Sequence, residues 1–247
     1  MAIVTGAARG IGWATAAQLA SDGARVVLCD IRAPEGRDMR DGAFEMQGQS
    51  ALFVQADVGD RSQVENLFRR VDEVFGRVDI VVNNAGINVR KPLIELEVPD
   101  VEQVWAVCLW GTFHCAQLGA RRMVAQGEGG SIVMISSVHA SRAFPNSTAY
   151  NGAKAAINQM TRTWAAELAT HGIRVNSIEP GWTDTPGERR YYSEDEIREK
   201  GKKLPLGRLG RPEEIAGAVS YLVSDRGAYI TGSVLRIDGG ILLPEPH

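Results

Sequence analysis

Ser137, Tyr150 and Lys154 are residue types that together can move a proton at neutral pH, and their spacing brings them close. Tyr150 and Lys154 stand four apart within residues 150–169, a stretch with helical periodicity and few breakers, so they share a face about one turn apart. Ser137 follows the apolar run 132–135, which reads as a buried parallel strand ending beside that helix. A lone phenol titrates near ~10 and is a poor base, but a neighbouring ammonium stabilises the phenolate, so Lys154 is expected to tune Tyr150 downward. A serine hydroxyl beside them can hold a substrate oxygen while the phenol takes or gives its proton. No metal is required. The bare pair also arises on helices by chance, so the elements around it must decide.

The first of those elements is the apolar run from Ala2 to Thr5, which leads into Gly6, Ala7, Ala8, Arg9, Gly10, Ile11 and Gly12 and then a helical stretch over 11–21. Glycines there allow a tight turn and close backbone approach, while the first amides of the helix favour a pyrophosphate. A second strand over 25–29 ends in Asp30, an acid able to bind ribose hydroxyls and to repel a 2′-phosphate. Asp30 therefore favours NAD over NADP, although Arg9 and Arg32 are placed to offset it by pairing with a phosphate, and a surface carboxylate is the plainer reading of Asp30.

Further strands are expected over 51–55, 78–82, 132–135, 173–178 and 234–237, with helices between them. That alternation predicts an α/β, Rossmann-like doubly wound parallel sheet of about seven strands with helices on both faces and ligands at the strands' carboxyl ends. Asp57 and Val58 follow one such strand, and Asn83, Asn84, Ala85 and Gly86 follow the next, placing both near the adenosine half of a dinucleotide. No linker, repeat or low-complexity stretch divides the chain, so residues 1–247 are expected to form a single domain.

The composition agrees. The chain has 247 residues, 44% hydrophobic and 23% charged, which is ordinary for a globular chain with one large core. A net charge of −3 gives no support for nucleic acid or an anionic membrane as partner. The start is too short and uncharged for a signal peptide and no apolar run approaches the ~20 residues of a membrane helix, so a cytoplasmic protein is expected. Cys29, Cys108 and Cys115 are an odd number without ligand-type spacing and read as reduced thiols.

These motifs, taken together, resemble the single-domain short-chain dehydrogenase/reductase family over nearly the whole chain. The turn from Thr5 to Gly12 is similar to its cofactor turn, Asn83 to Gly86 to its central-strand motif, and Ser137, Tyr150 and Lys154 to its catalytic trio. Pro180, Gly181, Thr183 and Thr185 resemble the segment that holds the nicotinamide carboxamide, while Arg211 to Ala216 and Ile237 to Gly240 resemble landmarks near the C-terminus. The resemblance implies that Tyr150 is the acid/base, that Ser137 holds the reacting oxygen, and that Lys154 also contacts the nicotinamide ribose. It further implies a homotetramer, with Trp105, Trp110 and Trp164 on helices of the interface type. One position departs: Cys108 stands where the family has an asparagine, and a thiol is too weak a donor and acceptor to replace an amide in a proton relay.

The substrate is less legible. Residues 185–205 fall where the resemblance puts a substrate-covering segment, and its Arg189, Arg190, Lys202 and Lys203 either face an anion or form a solvated face. Tyr191 and Tyr192 either close over a ligand or dock the segment. His139, two residues past Ser137, is expected on the same side of an extended chain, lining the pocket with Ser137 and Tyr150. Its neighbourhood looks similar to sugar 1-dehydrogenases, which favours a small sugar or polyol substrate. A 3-oxoacyl-[acyl-carrier-protein] reductase and a non-catalytic dinucleotide-binding regulator are the alternatives.

Overall fold

The computed structural model describes residues 1–34, 42–190 and 192–243. Eight strands form one sheet in the order β3-β4-β2-β1-β5-β6-β7-β8, comprising β1 Ala2–Thr5, β2 Val26–Asp30, β3 Gly42–Met46, β4 Gln49–Gln55, β5 Ile80–Asn83, β6 Gly130–Ile135, β7 Ile173–Pro180 and β8 Val234–Ile237. Seven correspond to the expected parallel strands, and the eighth corrects the count. β3 pairs antiparallel with β4, joined by Gln47 and Gly48. Both connecting residues have positive φ, 50° and 74°, as a two-residue hairpin of matching twist demands. The hairpin escaped the sequence reading because β3 is a partly exposed edge strand without a continuous apolar run and Gln-Gly is a weak turn signal.

Strand side chains alternate between two cores. Ala2 and Val4 of β1 face one way with Leu19 of α1 (Gly10–Ser21) and Val219 of α7 (Pro212–Val223). Ile3 faces the other way, onto Phe68 of α2 (Arg61–Phe75), Met123 of α4 (Gly111–Gln126) and Ile157 of α5 (Thr148–Leu168). Two covered faces explain why the strands read as continuous apolar runs. Among the described residues, no helix is long and apolar enough to cross a membrane.

The strand order reverses between β1 and β5, and this switch point is tied by side chains. Asn84 Nδ2 donates to the carbonyls of Thr5 at 2.9 Å and Gly6 at 3.0 Å, while Thr5 Oγ1 accepts from the amides of Asn84 and Ala85. A crevice at such a point is where doubly wound sheets bind ligands.

The helical stretch between β5 and β6 is interrupted. α3 (Val98–Trp105) passes into a π-turn at Ala106–Trp110 before α4 resumes. Such turns insert an extra residue and redirect the local side chains, commonly at functional sites. Cys108 sits at its centre. The short α6 (Glu194–Gly201) completes the segment beyond β7.

Candidate active site

The carboxyl ends of β1, β2, β5, β6 and β7 open into one cavity of about 1070 Å³ that runs from Asp30 to Tyr150. Gly6, Arg9, Gly10, Ile11, Asp30, Asp57, Val58, Asn84, Ala85, Gly86, Ser137, His139, Tyr150, Lys154, Pro180, Gly181, Thr183 and Thr185 all line it. Of the expected cofactor residues, Gly12 alone lies behind the wall. A Cβ there would fall 2.2 Å from Gly6 O and 2.5 Å from Asn84 Nδ2, so its task is to let α1 approach the turn.

The dinucleotide end is prearranged. Gly6 and Gly10 have positive φ, 62° and 58°, and a Cβ on Gly6 would meet Ala85 Cα at 2.8 Å. Asp30 Oδ2 accepts from the Ala8 amide at 3.0 Å and Oδ1 from the Arg32 amide at 3.1 Å, which fixes the carboxylate at the end of β2. Asp57 Oδ1 accepts from the Gly59 amide at 2.8 Å, so its side chain shapes the loop at the cavity wall. The cradle and the fixed acid fit a nicotinamide dinucleotide.

At the other end, Ser137, Tyr150 and Lys154 converge as their spacing implies. Ser137 and Lys154 are buried, Lys154 only 3% exposed, and Tyr150 is partly buried. Lys154 Nζ donates to Ile135 O at 2.7 Å and lies 5.3 Å from the centroid of the Tyr150 ring. The expected downward tuning of Tyr150 is reversed here. Burial pushes the phenol above its ordinary value, the nearby Cys108 and Glu188 add to the effect, and the hydrogen bond with Ser137 and the charge of Arg90 oppose it. Burial likewise lowers Lys154. Desolvation is the largest of the effects on the phenol.

His139 lines the pocket, but for another reason than expected. Val138–Ala140 forms a 3₁₀ turn rather than an extended chain, capped by Ser137 Oγ accepting from the His139 amide at 3.2 Å. The imidazole stacks on Phe144 at 4.1 Å and stands edge-on to Tyr150 at 5.2 Å. Its Nδ1 lies 2.6 Å from Asn151 Oδ1, and Asn151 Nδ2 donates to Phe144 O. With the amide nitrogen so engaged, Oδ1 must accept, which puts the histidine proton on Nδ1 and leaves Nε2 as an acceptor. Burial lowers its pKa, so the ring stays neutral.

Cys108 is fully buried. Its Sγ accepts from the Ile87 amide at 3.4 Å and donates to Ile87 O at 3.3 Å, holding the chain that leaves β5. Gly86 separates it from the lysine, since a Cβ there would lie 3.7 Å from Sγ and 3.8 Å from Lys154 Nζ. An amide can make the same two bonds to Ile87 and is a stronger donor and acceptor toward a proton-carrying water. Cys108→Asn is therefore expected to keep the fold and to displace the pH profile of turnover by at least about half a unit; identical profiles would remove the side chain from proton transfer.

The model of the dehydrogenase family described as "Enoyl-(Acyl carrier protein) reductase" matches residues 6–242. The chain belongs to the short-chain dehydrogenase/reductase family. It is similar, at 41% identity over 97% of its length and 95% of the relative's, to cis-4-hydroxycyclohexanecarboxylate dehydrogenase of Sinomonas cyclohexanicum. It is 38% identical to the 3-oxoacyl-[acyl-carrier-protein] reductase FabG of Thermotoga maritima, covering 98% of this chain and 97% of that one. Among solved structures it resembles the aldohexose dehydrogenase of Thermoplasma acidophilum with TM-score 0.89 and 29% identity, over 100% of this chain and 95% of that one. This short-chain dehydrogenase is thus an NAD(P)-dependent oxidoreductase acting on CH–OH groups, and the reading as a non-catalytic regulator falls away.

The enzyme also carries wall residues that sequence reasoning missed: Arg90, Phe144, Trp182, Glu188 and Lys200. Of the cations singled out instead, Arg189, Lys202 and Lys203 do not line the cavity. Arg189 pairs with Asp184 and Glu194, and Lys202 with Glu199. Tyr191 and the side chain of Arg190 lie outside the described residues, whereas Tyr192 does reach the pocket. Arg90 carried a weak signal, because it follows a strand's carboxyl end.

Proposed function

We propose that the enzyme is an NAD-preferring dehydrogenase of a secondary alcohol in a small sugar- or polyol-type molecule. The observation that carries this reading is the His139 acceptor, fixed by Asn151 beside Tyr150, which suits a second hydroxyl on the substrate. In this scheme Ser137 Oγ holds the reacting oxygen, the Tyr150 hydroxyl takes its proton on oxidation and returns it on reduction, and Lys154 supports the phenolate. Hydride acceptance is the chemistry that a bound nicotinamide supplies. Pro180, Gly181, Thr183 and Thr185 would hold its amide end, and Asp30 its adenosine ribose.

The name of the Thermotoga relative supports a second reading, reduction of a 3-oxoacyl thioester. Asp30 separates the two, because a fixed carboxylate repels a 2′-phosphate. A panel of sugars, polyols, simple secondary alcohols and 3-oxoacyl esters, assayed with both cofactors, tests the proposal: strong NADPH preference with thioester reduction would overturn it. Asp30→Ser is expected to move the ratio of kcat/KM for NADP over NAD upward by at least about tenfold, the equivalent of ~1.4 kcal/mol.

A homotetramer forms part of the proposal. Trp105 and Trp110 are 43% and 54% exposed on α3 and the π-turn, which favours a covering surface. Trp164 does not join them, since it packs on the core and against Phe113 at 6.2 Å. A monomer by light scattering would contradict this assembly.

A further inference from the structure

The end of the cavity remote from Asp30 is walled by charge that a neutral polyol does not require. Arg90 reaches it from the chain beyond β5, and Lys200 from α6 on the covering segment. Tyr192 stands between them, accepting from Arg90 Nη1 at 3.2 Å and presenting its ring 3.5 Å from Lys200 Nζ. Trp182 offers a second face to the same ammonium at 5.8 Å. Aromatic faces hold a cation in place without neutralising it.

Lys200 differs from the other cations of its segment. Arg189, Arg198 and Lys202 each pair with a carboxylate on the surface, whereas Lys200 has no ion pair among the described residues and is the one cation of residues 185–205, among those described, that lines the cavity. The carboxylate on this wall, Glu188, is already engaged, accepting from Trp182 Nε1 at 3.1 Å and from Arg90 Nη2 at 3.5 Å. Glu196, one turn before Lys200, accepts from Ser193 in the helix cap. Lys200 thus reaches the cavity with no carboxylate in ion-pair contact among the described residues, feeling Glu196 only through space, while Arg90 is held by Glu188 and Tyr192.

We propose that the alcohol this enzyme oxidises carries a carboxylate, seated against Lys200 and Arg90 while its hydroxyl-bearing carbon lies at Tyr150. The inference rests on the dehydrogenase reading above and narrows its substrate to hydroxycarboxylates, polyhydroxylated ones included. Charge-assisted hydrogen bonds from both cations would orient the anion, and Trp182 and Phe144 would cover the carbon skeleton between.

The test compares short linear and ring hydroxycarboxylates, each beside its primary amide, in kcat/KM with NAD and in calorimetric binding with NADH present. Wild-type enzyme is expected to prefer the acid over the amide by at least about tenfold, as for one charge-assisted bond. In Lys200→Met that ratio should collapse toward one through KM, and Lys200→Arg should restore most of it; a melting curve confirms that each variant is folded. Equal use of acid and amide by an active wild-type enzyme would overturn the carboxylate inference and leave the dehydrogenase reading standing. If no alcohol or ketone in the panels above is turned over with either cofactor, the dehydrogenase reading fails and this inference with it.

Discussion

Tyr150→Phe should leave no more than about a hundredth of wild-type turnover, and as little as a ten-thousandth, the range that positioned acid–base groups contribute. The substitution keeps the ring that packs with Val104, Cys108 and Ala153, so the loss would belong to the hydroxyl rather than to the fold. Its pH signature is more telling. Burial raises the phenol, which therefore holds its proton at neutral pH. Oxidation needs the phenolate, so kcat/KM for the alcohol should climb with pH through the phenol's value in the dinucleotide-bound enzyme before the alcohol enters, while reduction of the ketone falls with rising pH. Lys154→Met should push the oxidation limb to higher pH, because the ammonium that favours the phenolate is gone. A Tyr150→Phe enzyme with a tenth of the wild-type rate and the same limb would assign the proton transfer to another group.

Gly12→Ala should cost both stability and dinucleotide affinity, although Gly12 touches no ligand in the scheme proposed. The added methyl would lie 2.2 Å from Gly6 O, a backbone atom that cannot rotate aside. To relieve the clash, either α1 moves off the sheet or the Gly6 turn is displaced. That turn is locked by Asn84 and Thr5 across the switch point, so its displacement reaches β5 as well. Overpacking of this kind costs about 1–3 kcal/mol, which for a chain of this size lowers Tm by roughly 2–12 °C. NADH affinity, followed by calorimetry, should fall by at least about tenfold because the amides aimed at the pyrophosphate shift with the turn. Gly152→Ala is the matching control: it lies on α5 with open space where a Cβ would go, and is expected to leave NADH affinity within twofold. If Gly12→Ala melts and binds like that control, the cradle is not as close as its geometry indicates.

The chemistry of the site was legible in the sequence wherever local rules operate. Tyr150 and Lys154 share a face because a helix repeats every 3.6 residues, and Gly6, Gly10 and Asp30 fall at strand ends because apolar runs and glycine turns mark those ends. The parallel strands declared themselves for the same reason, whereas β3 lies partly exposed at the sheet edge without a continuous apolar run, and its Gln-Gly turn is a weak signal.

What only the tertiary structure decided depends on atoms far apart in the chain. The direction of the shift at Tyr150 follows first from burial and then from the nearby Cys108, and no spacing encodes either. The 3₁₀ turn at His139 and the lone pair it offers depend on Asn151 and Phe144 folding back onto it. Lys200 looked like one more surface charge on a polar helix until the covering segment set it over Tyr192 and opposite Arg90. Sequence determined which groups stand at the strand ends, because hydrogen-bonding periodicity is local; folding determined their charge, tautomer and company, because desolvation and electrostatics act through space.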